Sequence, residues 1–153
     1  GLKLGADYIS AENETGTVAQ SYEAGGWYAN YAIGNFKVGY GERHAAPGIS
    51  DKVSAGAHNY EMTQQGIELA LNDAMSISYS KEESTRKSYG AAVNAAAGAT
   101  PFTRTTITYE LESLQASYDI GGATIGIVNQ EATNSGYATG DATLTIVSLA
   151  MAF

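Results

Sequence analysis

Large apolar residues fall at every second position through eight segments of this chain, with small or polar residues between them. A period of two sends alternate side chains to opposite faces of an extended strand. In the first segment, about residues 1–11, Leu2, Leu4, Ala6 and Tyr8 share one face, and Lys3, Gly5 and Asp7 share the other. The second, about 21–33, sets Trp27, Ala29, Tyr31 and Ile33 against Tyr28, Asn30 and Ala32. The third sets Phe36, Val38 and Tyr40 against Lys37, Gly39, Gly41 and Arg43. The fourth, about 59–71, is clean only in its second half, where Ile67, Leu69 and Leu71 oppose Glu68 and Ala70; Tyr60 to Gln65 carry no clear period. In the fifth, Met75, Ile77 and Tyr79 oppose Ser76, Ser78 and Ser80. The sixth, about 103–120, changes parity. Ile107, Tyr109 and Leu111 are odd, then Leu114, Ala116, Tyr118 and Ile120 are even, and a bulge near Glu112 is the expected cause. The seventh, about 123–130, carries Ile125 and Ile127 against Gly126 and Val128. The last, 143–153, has Val147, Leu149, Met151 and Phe153 against Ser148, Ala150 and Ala152, with Leu144 and Ile146 on the small-residue face.

The connections sort by length. Gly34-Asn35, Asn72-Asp73 and Gly121-Gly122 read as two-residue hairpin turns; Gly34 and Asn35 both tolerate positive φ. Between them lie four longer stretches, at about 12–20, 45–58, 82–102 and 132–141, rich in polar or small residues. Short and long connections alternate strictly. This predicts an all-β, antiparallel up-and-down meander, one segment over 1–153, with short connections at one end and long ones at the other. A globular sandwich has no reason to sort its loops in this way.

The chain ends on an aromatic residue, Phe153, at the close of its most regular strand pattern. Taken with the eight alternating segments and the sorted connections, this pattern resembles Gram-negative outer-membrane porins. It covers the whole chain and contains no catalytic-style fingerprint. The resemblance implies a transmembrane β-barrel in the bacterial outer membrane, with Phe153 as the C-terminal assembly signal and both chain ends on the periplasmic side. It also implies a homotrimer, contact with outer-membrane lipid and lipopolysaccharide, and passive passage of small hydrophilic solutes and ions. In that family the constricting loop usually belongs to the first half of the barrel, so the Ala/Gly-rich stretch around 90–100 is expected to lie outside the lumen.

Side-chain bulk decides between a wet and a dry interior. The face opposite the apolar one is made of Gly5, Gly39, Gly41, Ser76, Ser78, Ser80 and similar small groups, which cannot fill a narrow eight-stranded barrel. Small polar groups suit a wide aqueous channel. The eight strands are therefore expected to be the C-terminal half of a barrel of about sixteen, completed by a missing N-terminal barrel segment, and the start at Gly1 inside a strand pattern agrees. The alternative is a complete eight-stranded outer-membrane barrel with a structural or adhesive role through its loops, holding a polar network of Lys3, Asp7, Lys37, Arg43 and Glu68. A soluble barrel of lipocalin type shares the meander but turns its apolar face inward.

Composition narrows the chemistry. The formal charge is −8, from 16 acidic and 8 basic side chains, which opposes nucleic acid as a partner and favours cations as solutes. There is no Cys, so thiolate metal sites, thiol nucleophiles and disulfides are excluded. No run of apolar residues is long enough for a transmembrane helix, which leaves membrane strands open. Strand parity puts Lys3, Asp7, Lys37, Arg43, Glu68 and Gln115 on the polar face as pore-lining candidates. Either they set a transverse field or they pair as an ordinary solvated wall. Tyr8, Trp27, Tyr31, Tyr40, Tyr79 and Tyr118 are the expected aromatic girdles. His44 and His58 flank Asp51, a weak pattern for metal. No catalytic residue, metal site or cofactor is expected, and no enzyme motif is present.

Overall fold

The computed structural model describes residues 1–12, 20–49, 56–89 and 104–151. Eight strands form one sheet in sequence order, each antiparallel to the next. They are β1 (Leu2–Ala11), β2 (Tyr22–Ile33), β3 (Phe36–Ala46), β4 (Gly56–Ala70), β5 (Met75–Tyr89), β6 (Arg104–Asp119), β7 (Ala123–Thr133) and β8 (Ala142–Met151). β1 and β8 are not paired with each other, so among the described residues the sheet has two open edges. Phe153 and the 90–100 stretch lie outside the described residues.

Local chemistry explains the short connections. At Gly34 the backbone takes φ +56°, and β2 turns into β3 through Gly34-Asn35 alone. Gly121 and Gly122 also have positive φ, and the Asp119 carboxylate accepts from the Gly121 N–H. The Asn72-Asp73 connection differs from the two-residue turn expected. It runs from Leu71 to Ala74, because the Asn72 side-chain oxygen caps both Ala74 N–H and Met75 N–H at 2.9 Å. At the other end, Gln20 and Ile49 exchange backbone bonds, and the Gln20 amide donates to the carbonyls of Pro47 and His58 at 2.8 Å. These contacts tie the first two long connections together.

Two further expectations are corrected. Residues 82–89 are not loop but the second half of β5, paired residue by residue with β6 from Lys81↔Glu112 to Tyr89↔Arg104. There is also no bulge near Glu112, since both ladders of β6 run through it without a shift. The irregularity lies instead between Ala57 and Asn59 on β4. The parity change in β6 has another cause. Leu114, Ala116 and Tyr118 belong to one face of the sheet near the short turns, while Ile107, Tyr109 and Leu111 belong to the other face near the long connections. The backbone is regular, and the side that is apolar changes along its length. β4 and β8 do the same, with Tyr60 and Met62, and Leu144 and Ile146, on the face opposite Ile67 and Leu69, and Val147 and Leu149.

No hydrophobic side chain is buried among the described residues. The described residues form a curled sheet without a dry centre.

Candidate functional site

One face of the sheet lines a trough. A cavity of about 640 Å³ is bounded by residues from β1 to β7, including Lys3, Asp7, Gly41, Arg43, Ser113 and Gln130, so the sheet curls toward this side. The register places all six pore-lining candidates here. Lys3, Asn30, Gly39, Gly66, Ser80, Ser113 and Gln130 form one row across the trough. Lys37, Glu68, Ser78 and Gln115 form the row nearer the short turns. Asp7, Gly26 and Arg43 lie in register toward the long connections.

The charged members are partly paired. Lys37 Nζ meets Glu68 Oε1 at 2.7 Å, and Arg43 Nη2 reaches Asp7 Oδ1 at 3.1 Å. The second pair skips a strand. It forms because Gly26, between the two, has no side chain: a Cβ there would stand 2.6 Å from Arg43 Cγ. Both pairs are open to solvent, so each is worth only about 0–1 kcal/mol in stability. Their importance is the charge they hold on the wall. Lys3, Lys37 and Arg43 lie on β1 and β3, while Glu68 and Glu82 lie on β4 and β5. Gln115 donates to Ser113 Oγ at 3.2 Å, and Gln64 donates to Glu82 at 3.0 Å. Of the smaller groups, Ser76 and Ser117 share a hydrogen bond at 2.8 Å.

The opposite face carries an apolar belt. Leu2 is in register with Tyr31, Val38, Ile67, Tyr79 and Leu114, then with Asn129 and Thr145. The row leaves the belt after β6 because the belt descends toward the short turns. On β1 it covers Leu2 to Tyr8, and on β8 Val147 to Met151, a slip of about one residue at each pairing. With ~3.3 Å of rise per residue and ~4.8 Å between strands, that slip is what a level belt makes on strands tilted by about 35°.

Four of the aromatic candidates follow the upper edge of this belt. Tyr8, Trp27, Tyr40 and Tyr79 each stand at its last position toward the long connections, and three of them hand their polar tips to carboxylates. Trp27 Nε1 donates to Glu42 at 3.3 Å, Tyr40 Oη to Glu42 at 2.7 Å, and Tyr8 Oη to Glu23 at 3.3 Å. Beyond them the same face turns polar: Lys81 bridges Glu83 and Glu110 at 2.8 and 3.1 Å, and Lys87 pairs with Glu61. Tyr31 lies inside the belt and Tyr118 lies toward its lower edge, so these two do not join the row.

No protein-family model matches this chain, and no curated protein matches it by sequence.

One feature of the trough has no counterpart in the periodicity. The connection between β7 and β8 folds inward, and Tyr137 sits among Tyr60, Ser84, Arg86 and Tyr109 on the inner face. The only sequence signal is a lone large residue after Gly136 in a stretch of small polar ones. Two of the residues that change sides, Tyr60 on β4 and Tyr109 on β6, turn inward to meet Tyr137. His44 is on the outer face, its ring 6.5 Å from that of Tyr8. Asp51 lies outside the described residues. Among the described residues, no three His, Asp or Glu side chains gather as a metal site.

Proposed function

We propose that this chain forms wall of an outer-membrane pore through which small hydrophilic solutes and ions diffuse passively, with no catalytic step. The observation that carries this reading is the inverted polarity. Apolar residues form an exposed belt on the outside of the curl, while behind it on β1 to β5 small and charged residues line the inside. Left in water, about 25 cal/mol for each Å² of that belt would be forfeited. Lipid is a solvent that matches it, and the aromatic edge with carboxylate-held tips suits the boundary between hydrocarbon and headgroups. The tilt of about 35° falls at the edge of the range for membrane barrels.

The open edges of β1 and β8 support completion by further strands, because unpaired backbone groups cost several kcal/mol each in hydrocarbon. A ring of about sixteen strands, closed by another segment and assembled as a trimer among lipopolysaccharide, belongs to the same proposal. A second reading, closure of these eight strands alone with a structural or adhesive role, is favoured by the curl, since residues from β1 and β7 line a single cavity. Recordings in planar lipid bilayers test both. Stepwise, cation-preferring currents are the expected result. A protein that is fully folded in vesicles, as judged by its β-sheet circular dichroism, yet silent in the bilayer would overturn the pore and favour the second reading.

A further inference from the structure

We infer that the segment joining β7 to β8 is the constriction of the passage, with Tyr137 as the side chain that narrows it and Arg86 as part of its seat. This rests on the pore reading above. The segment is turned inward by three left-handed residues, Asn134 at φ 54°, Gly136 at φ 67° and Tyr137 at φ 58°. Only Gly takes that conformation freely, so a tyrosine held there is an outlier maintained by its surroundings. Those surroundings are specific. Tyr137 Oη shares a hydrogen bond with Ser84 Oγ at 2.5 Å, and Arg86 Nη2 donates to the Tyr137 carbonyl at 3.1 Å. The Arg86 guanidinium lies 5.0 Å from the Tyr137 ring centre, within cation–π range. Asn134 anchors the near end by donating to the Thr108 carbonyl at 2.8 Å.

Beside Tyr137 is a cavity of about 440 Å³ whose lining also includes Asp7 and Arg43. A solute entering from the long-connection end therefore meets the aromatic ring and the ion pair at the same cavity. The seat also holds an imperfection: Arg86 Nε is buried with no hydrogen-bond partner among the described residues. A guanidinium with one donor unmet and its plane occupied by the ring gains new partners when the ring leaves. Withdrawal of Tyr137 thus widens the mouth and uncovers a cation at the same time. Tyr137 sets the size limit, and its position sets how much positive charge a solute meets.

Bilayer recordings of Tyr137→Ala beside the unaltered chain test this. Unitary conductance is expected to rise roughly twofold and selectivity to move toward anions. The anion shift is expected to vanish in Tyr137→Ala combined with Arg86→Gln. A second measurement is independent of current. The chain has no Cys, so a Ser84→Cys variant carries a single thiol at a position only 2% exposed, beneath the ring. Its reaction with a maleimide in folded protein is expected to be slow, and about tenfold faster when Tyr137→Ala is added. Equal currents from the two proteins overturn the constriction while leaving the pore. Equal thiol rates overturn the seat. Silence from both proteins overturns the pore reading, and the constriction falls with it.

Discussion

Single residues on the inner wall act through the space they leave as much as through the groups they carry. Arg43 reaches Asp7 two strands away because Gly26 stands between them, with Arg43 Cγ and the Glu42 carbonyl 2.6 and 2.7 Å from where a Cβ would be. Gly66 lies on the same face, yet its nearest neighbours are at 3.5 and 3.6 Å, an ordinary contact. The two glycines should therefore respond oppositely to a side chain. Gly26→Val is expected to cost about 1–3 kcal/mol, because the nearer obstacle includes backbone. Gly66→Ala is expected to stay within about 0.5 kcal/mol. Urea unfolding in lipid vesicles measures both, and an equal loss at the two positions would refute the account. At this scale strand parity put Lys3, Asp7, Lys37, Arg43, Glu68 and Gln115 on one face correctly, because alternation is a property of the backbone. Their partners were not legible, because pairing across strands depends on register.

At the scale of the element, the instructive strand is β6. Its parity change reads as a bulge if one assumes that a strand keeps one apolar side throughout. The ladder runs unbroken, and the change marks a change of surroundings. Near the short turns the apolar side faces out; near the long connections it faces in, toward Tyr137. The same reasoning explains why β5 looked shorter than it is. Residues 82–89 are mostly charged and polar, and composition reads them as loop, but β4 and β6 supply the ladder on both sides. Adjacent positions on β5 offer a direct test of the two faces. Ile77 lies at mid-belt and Ser78 in the trough. Under the membrane reading, Ile77→Arg should cost about 2–4 kcal/mol in vesicle unfolding, the penalty for a cation facing hydrocarbon. Ser78→Arg should cost far less, and should instead reduce cation preference in conductance. Equal penalties would show that both faces meet the same medium.

The whole molecule is organised by a belt that no strand contains by itself. Leu2, Tyr31, Val38, Ile67, Tyr79 and Leu114 are adjacent only because five pairings bring them into register. The chain has one Trp, at the upper edge of this belt, and it reports the position of the bilayer directly. Fluorescence from Trp27 in vesicles should be quenched most strongly by lipids labelled near the headgroup, and less by lipids labelled at the chain ends or by iodide in the water. Strong iodide quenching with no dependence on lipid label would remove the belt from the membrane. The amino-acid sequence alone determined the number of strands, the alternation of their faces and the Gly34-Asn35 and Gly121-Gly122 turns, because each depends on neighbours one or two residues apart. Only the tertiary structure decided the slant of the belt, the reach of Arg43 over Gly26 and the seat of Tyr137. Those follow from register and curvature, which bring together residues dozens of positions apart.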